Sequence, residues 1–222
     1  MENTGLLYIV STPIGNLKDI TLRALEILSL VDIIACEDTR RTAILLGHYQ
    51  IKKPLLSYFA YNKKKRLDPI LQMLSQGRKI ALVSDAGTPC ISDPGSVLVR
   101  EAIEHGIDVE VIPGVSAFAA ALVVSGLRTD KFIFQGFLPI KSGAKIKLLQ
   151  ELKPQKRTLI FYESCHRLVK TLEVIKFVFG CRKIAIAREL TKKFAEIRRE
   201  TAEDALNHFN KVKPKGEFVI VI

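Results

Sequence analysis

Residues 79–95 read KIALVSDAGTPCISDPG. Ile80 to Val83 is a short apolar run of the kind that fills a buried strand, and it stops abruptly at Ser84 and Asp85. In the loop that follows, Gly87 and Gly95 permit positive φ and close approach of backbone to a ligand. Pro89 and Pro94 restrict the chain and leave nearby amides pointing outward. A buried strand ending in Asp and a Gly/Pro loop, at the carboxyl edge of an α/β sheet, is where such folds place small-molecule sites. An ordinary strand-to-helix connection uses the same punctuation.

Outward from this stretch, strands and helices alternate. Leu6 to Val10 reads as a first strand, broken by the turn-rich STPIGN. Asp19 and Thr21 offer acceptors for the start of a helix from Leu22 to Leu30. VDIIAC, ending at Cys36, is a second strand, with Asp38 as N-cap of the next helix. Leu55 to Phe59 is strand-like, the basic run Lys63, Lys64, Lys65 and Arg66 follows, and Pro69 to Leu74 has helical spacing. Beyond the central loop come a helix from Val97 to Glu104 and a strand from Val109 to Ile112 that closes on Pro113-Gly114. This alternation is the signature of a doubly wound, mostly parallel sheet.

Pro113-Gly114 divides the chain into two predicted α/β domains, residues 1–113 and 114–222, of about 100 residues each. The helix Ser116 to Val124, SAFAAALVV, consists almost wholly of small or apolar residues; it is predicted to be buried on most sides and to pack between the halves. The second half then alternates: strand 132–135, helix 145–152, strand 158–162, helix 167–179, strand 183–187. AEIRRE at 195–200 takes no element, and a helix 203–209 capped by Thr201 and a strand 218–222 finish the chain.

The 222 residues are 48% hydrophobic and 26% charged, enough for one large core or two modest ones. No apolar run approaches the ~20 residues needed to cross a bilayer. The N-terminus lacks the pattern of a secretory signal, so a cytoplasmic protein with no membrane partner is expected. Cys36, Cys90, Cys165 and Cys181 show no C-x-x-C spacing and read as reduced thiols. The histidines are equally dispersed, and no metal site is expected. Lys and Arg number 34 against 23 Asp and Glu, a net charge of +11 that favours a polyanionic partner such as nucleic acid. Trp is absent, so any stacking on single-stranded bases falls to Tyr, Phe or Arg.

Four loops adjoin apolar strands: TPIGN at Thr12, SDAGTP at Ser84, PGVSA at Pro113 and FYES at Phe161. Neither G-x-G-x-x-G, G-x-x-x-x-G-K-[ST] nor G-x-S-x-G occurs, which weakens the dinucleotide, P-loop and α/β-hydrolase readings. In order along the chain, LYIVSTPIGNLKDIT, ACEDTR, ALVSDAGTPCISDPG, PGVSA, TLIFYESCHRL, ARELTK and KGEFVIVI resemble the tetrapyrrole-methylase superfamily, and within it the ribosomal-RNA branch. Relatives acting on porphyrin-like precursors or diphthine intermediates have G-x-G-x-G-D-P in the first loop and G-D-P in the central one. Here those positions read TPIGN and SDAGTP.

The resemblance implies a two-domain tetrapyrrole-methylase-like α/β fold, with a mixed, mostly parallel sheet in each domain and a cofactor cleft between them. It implies a homodimer that transfers methyl from S-adenosyl-L-methionine to a cytidine ribose 2′-OH in 16S ribosomal RNA of the small (30S) subunit. Within the same superfamily the alternative is a tetrapyrrole-precursor methyltransferase. The usual helical C-terminal tail of the branch is absent, and a non-catalytic RNA- or cofactor-binding module is the further alternative if that tail is essential. Carried over by position, Pro13, Asp85, Ala86, Gly87, Thr88, Ser116, Ala117, Tyr162, Leu190 and Gly216 would bind the cofactor.

A ribose hydroxyl is a poor nucleophile, so a base or a stabiliser of developing negative charge helps. The candidates near strand ends are Glu163 as proton acceptor, Arg167 as phosphate or charge stabiliser, and Lys192 as a base of lowered pKa; surface ion pairs are the bland reading of all three. For RNA phosphates the candidates are Arg40, Arg41, Lys63, Lys64, Lys65 and Arg66, together with Arg198 and Arg199. A solvated helix face accounts equally for the lysine run.

Overall fold

Two apolar runs, LLYIV and KIALV, lie side by side as β1 (Leu6–Val10) and β4 (Lys79–Val83), and both are buried along nearly their whole length. The structure is a computed structural model; it describes residues 5–59, 63–93 and 95–222, with only the backbone of 63–65. β2 (Ile33–Cys36), β3 (Leu55–Ser57) and β5 (Asp108–Ile112) complete a parallel sheet of order β3-β2-β4-β1-β5. Strand residues alternate between two cores. Leu7, Ile9, Ile80 and Leu82 face α3 (Lys63–Ser75) and α4 (Gly95–Glu104), while Tyr8, Val10, Ala81 and Val83 face α1 (Leu22–Leu30) and α2 (Thr39–His48).

Helix starts follow capping chemistry. The Thr21 hydroxyl accepts from the Ala24 amide, and the Asp38 carboxylate accepts from the Arg40 amide, each satisfying a first-turn donor that has no partner inside the helix. The third helix begins at Lys63 rather than at Pro69, which sits inside it. The helices after β1 and β4 leave toward opposite faces, so a switch point lies at the carboxyl edge between these neighbouring strands.

The second sheet has order β6-β7-β10-β8-β9, from β6 (Phe132–Phe137), β7 (Thr158–Ser164), β8 (Lys183–Arg188), β9 (Glu196–Thr201) and β10 (Glu217–Val221). It is mixed, but only β6 and β7 pair in parallel; β7-β10, β10-β8 and β8-β9 are antiparallel. β9 is the strand that EIRRET concealed. It lies on an edge, where one row of side chains can meet water, and Arg198 is paired there with Glu196 and Glu200, two residues away on either side. α5 (Ala117–Ser125) packs on one face against Ile160, Ala185, Ala187 and Val219. α6 (Ser142–Leu152), α7 (Leu168–Phe179) and α8 (Ala202–Lys211) cover the other, over Leu159, Phe161, Ile184 and Ile220.

The chain divides into two compact units, residues 1–116 and 117–222. Among the described residues no helix is long and apolar enough to cross a membrane.

Candidate functional site

At the carboxyl edge of the first sheet three loops are fastened together. Thr12 and Gly87 exchange main-chain hydrogen bonds, 2.9 Å from the Thr12 amide and 3.0 Å from the Gly87 amide. The buried Thr12 hydroxyl donates to the Ser84 carbonyl at 3.1 Å. Ser11 Oγ donates to Thr88 Oγ1 at 3.0 Å, and Thr88 Oγ1 donates to the Val115 carbonyl at 3.2 Å. Gly87 takes φ +84°, the left-handed conformation that favours glycine. Pro13 is buried in this assembly and Ala86 is exposed, so the structure brings Pro13, Asp85, Ala86, Gly87, Thr88 and the segment before Ser116 to one edge.

Asp85 has partners within its own unit. One oxygen accepts from the Asp38 amide at 3.0 Å and the other pairs with Arg41 at 3.3 Å. Asp38 is gripped by Arg40 at 2.7 Å, and hydrogen bonds from the Arg40 side chain and amide hold its carboxyl well below the usual range. Glu37 is exposed, yet partial desolvation, then the charges of Asp85 and Asp93, push it up. Of the RNA candidates, Arg40 and Arg41 thus lie at this edge with carboxylate partners, and the Arg40 side chain is 88% exposed. Lys63, Lys64 and Lys65 lie outside the described side chains; Arg66 is half-buried.

In the second unit Ala117, Tyr162 and Leu190 gather on the α5 face with Phe118 and Phe134. Tyr162 Oη accepts from the Phe118 amide at 3.3 Å, and the Phe118 and Phe134 rings stack with centroids 4.6 Å apart. Glu189 and Thr191, on either side of Leu190, have φ of +48° and +65°, values uncommon outside glycine. Gly216 abuts the Glu189 side chain, and Glu189 Oε1 accepts from the Glu217 amide at 3.0 Å.

Lys192 Nζ is 2.9 Å from both Glu189 and Glu217. Burial alone lowers its pKa, but the hydrogen bonds it donates to these two carboxylates and their charges outweigh it and raise the value. This corrects the expectation of a lysine with lowered pKa: Lys192 is held as the ammonium.

Glu163 and Arg167 lie on the opposite face from Tyr162, because adjacent strand residues point to opposite sides. Glu163 is only 2% exposed. It accepts from Thr171 Oγ1 at 2.6 Å and from its neighbour's amide at 2.9 Å, and Arg167 Nε lies 3.1 Å away. Lys145, 4% exposed, donates to Thr171 Oγ1 at 2.6 Å. Desolvation lowers the pKa of Lys145, and the Glu163 charge works against that lowering. Glu163 is therefore a buried acceptor for its own helices, not a carboxylate facing the α5 surface. Sequence reasoning missed Lys145, whose signal is a charge four residues before Leu149 on the apolar face of α6. Arg198 and Arg199 are likewise engaged, Arg198 with Glu196 and Glu200 and Arg199 with the Val124 carbonyl.

Two units, one with a doubly wound sheet and a three-loop carboxyl edge, are what comparison with known proteins explains. Residues 6–206 match the family described as Tetrapyrrole (Corrin/Porphyrin) Methylases, and the chain belongs to it. The solved uroporphyrin-III-C-methyltransferase from Thermus thermophilus shares the fold at 20% identity, with a TM-score of 0.70 over 98% of this chain and 94% of that one. Diphthine synthase does so at 15% identity, with a TM-score of 0.74 over 98% and 89%.

The particular branch is that of the ribosomal RNA small subunit methyltransferase I proteins. The chain is 51% identical over 218 residues to the one from Thermotoga maritima, covering 98% of each. It is 50% identical over 219 residues to that of Synechocystis sp., covering 98% of this chain and 78% of the relative.

Proposed function

We propose that this chain is an S-adenosyl-L-methionine-dependent methyltransferase that modifies a cytidine ribose 2′-OH in 16S ribosomal RNA. The observation that carries this reading is the 51% identity to the Thermotoga maritima ribosomal RNA small subunit methyltransferase I across 98% of both chains. The first and central loops, TPIGN and SDAGTP, support the same branch. The residues present fit the cofactor in type. Asp85 offers carboxylate lone pairs to an ammonium, since an ionised carboxylate has about four acceptor sites and two are used here. Gly87 spends its amide on Thr12 and so shapes the loop, while the amides of Thr88 and of the helix start at Ser116 and Ala117 are of the type that donates to a carboxylate. The Tyr162, Leu190 and Gly216 surface suits an adenosine.

The cofactor supplies a methyl group already activated on a sulfonium, so the protein's share is to orient the ribose oxygen and exclude water. Lys192, as an ammonium with two of its three donors on Glu189 and Glu217, suits a charge stabiliser better than a base. Glu163 and Arg167 suit a positioning role. The homodimer belongs to the same reading, and light scattering at twice the 24.8 kDa chain mass checks it.

Tritiated methyl transfer to 30S subunits from a strain lacking the endogenous modification tests the activity. Label recovered in a 2′-O-methylated cytidine is the expected result. No transfer to the subunit, or transfer to a tetrapyrrole precursor, overturns it.

A further inference from the structure

β6 is not a regular strand. Phe134 opposes Ile160 and Gly136 opposes Phe161, so two steps on β6 match one step on β7. Gly136, at φ +71°, takes up the extra residue. In an unbroken strand residues three apart point to opposite faces. The bulge restores parity, and the rings of Phe134 and Phe137 both meet Tyr162 edge-on, with centroids 4.9 and 5.6 Å away. Phe137 nevertheless stays 53% exposed.

The chain just beyond it is fixed. Leu138 is buried and its carbonyl accepts from Arg167, the residue paired with Glu163 in the Thr171–Lys145 network. Removing such charges from water costs more than burying apolar groups of equal volume, so stability alone gives no reason to keep them there. Their visible effect is to hold the backbone at Leu138. The result is a rigid, half-exposed phenyl ring on the face that carries Ala117, Tyr162 and Leu190. The exposed Lys141 follows four residues later, in a chain with a net charge of +11 and no Trp.

We propose that Phe137 is the base-stacking residue that positions an unpaired nucleotide of the RNA substrate, with Glu163 and Arg167 as positioning residues acting through Leu138. This rests on the methyltransferase reading above. Every nucleobase has a π-face, so an aromatic ring with an exposed lysine four residues on can hold single-stranded RNA without reading its sequence.

The test compares the intact wild-type protein with Phe137→Leu, which keeps apolar volume without a π-face, and Phe137→Trp. Methyl transfer to 30S subunits, S-adenosylmethionine affinity by calorimetry and oligomeric state by light scattering are measured for each. Phe137→Leu is expected to raise KM for the subunit about 10- to 100-fold, the loss of one stacked base, while kcat at saturation and cofactor affinity hold within about threefold. Phe137→Trp should restore KM to within about threefold. Glu163→Gln should add little to the KM of Phe137→Leu, because residues acting through one contact are not additive.

Wild-type KM in Phe137→Leu, a parallel fall in cofactor affinity, or a changed oligomeric state overturns the proposal. Wild-type protein that leaves the subunit unlabelled, while still binding cofactor, overturns the underlying reading and this one with it.

Discussion

Asp85 accepts from the Asp38 amide with one oxygen and meets Arg41 with the other, which ties the central loop to the start of α2. Asp85→Asn keeps a carbonyl for the amide and removes the charge. It should weaken cofactor binding by about 1.5–3 kcal/mol, the range for hydrogen bonds to charged groups, with little change in thermal stability. Calorimetry showing unchanged affinity would remove Asp85 from the site. Lys192 carries a pH signature. Its folded-state pKa is raised above the ordinary 10.5, so its contribution to stability is complete below that value and is lost as pH rises through the raised one. Glu189 is lowered from 4.5, since the Lys192 and Glu217 hydrogen bonds outweigh its desolvation; its contribution is complete above 4.5 and is lost as pH falls through the lowered value. The urea-stability difference between wild type and Lys192→Met should therefore be flat from about pH 5 to 10 and shrink on either side. The place of Asp85 just past the carboxyl end of β4 was legible because it follows an apolar run and opens a Gly/Pro loop. The Lys192 partners were not, since Glu217 lies 25 residues away and meets it only through the β10 pairing.

At the scale of the element, the Glu163 network lies where α6 and α7 cover β7, and it should behave as a folding unit. Glu163→Ala leaves Arg167 and Lys145 without their counter-charge and should cost ~3 kcal/mol in urea denaturation. Loss of methyl transfer without loss of stability would instead return Glu163 to the chemistry. Strands that are buried on both faces announced themselves as apolar runs, as IIAC and KIALV did. EIRRET did not, because an edge strand whose charges pair along its own surface looks polar in one dimension. For the same reason the antiparallel pairings of the second sheet were hidden: strand direction depends on where β10 inserts, between β7 and β8, and local pattern does not encode it. Pro69 misled by its usual position in a helix's first turn, whereas α3 runs through it.

For the whole molecule, the net charge of +11 sets an electrostatic expectation. If several phosphates are neutralised, the logarithm of 30S affinity should fall linearly with the logarithm of salt concentration, losing at least about tenfold between 50 and 200 mM. Filter binding at four salt concentrations checks this, and a flat response would place recognition in uncharged contacts. The ordered motifs made the family legible. The pairing of Arg41 with Asp85 was not, because Asp85 reaches the start of α2 only when β2 and β4 lie side by side.

The reciprocal amide bonds between Thr12 and Gly87 join peptide segments 75 residues apart into one mechanical part. A small molecule docking on that part would find its floor already assembled, so little ordering entropy is spent on arrival, and slow deuterium uptake at both amides should be visible before anything binds.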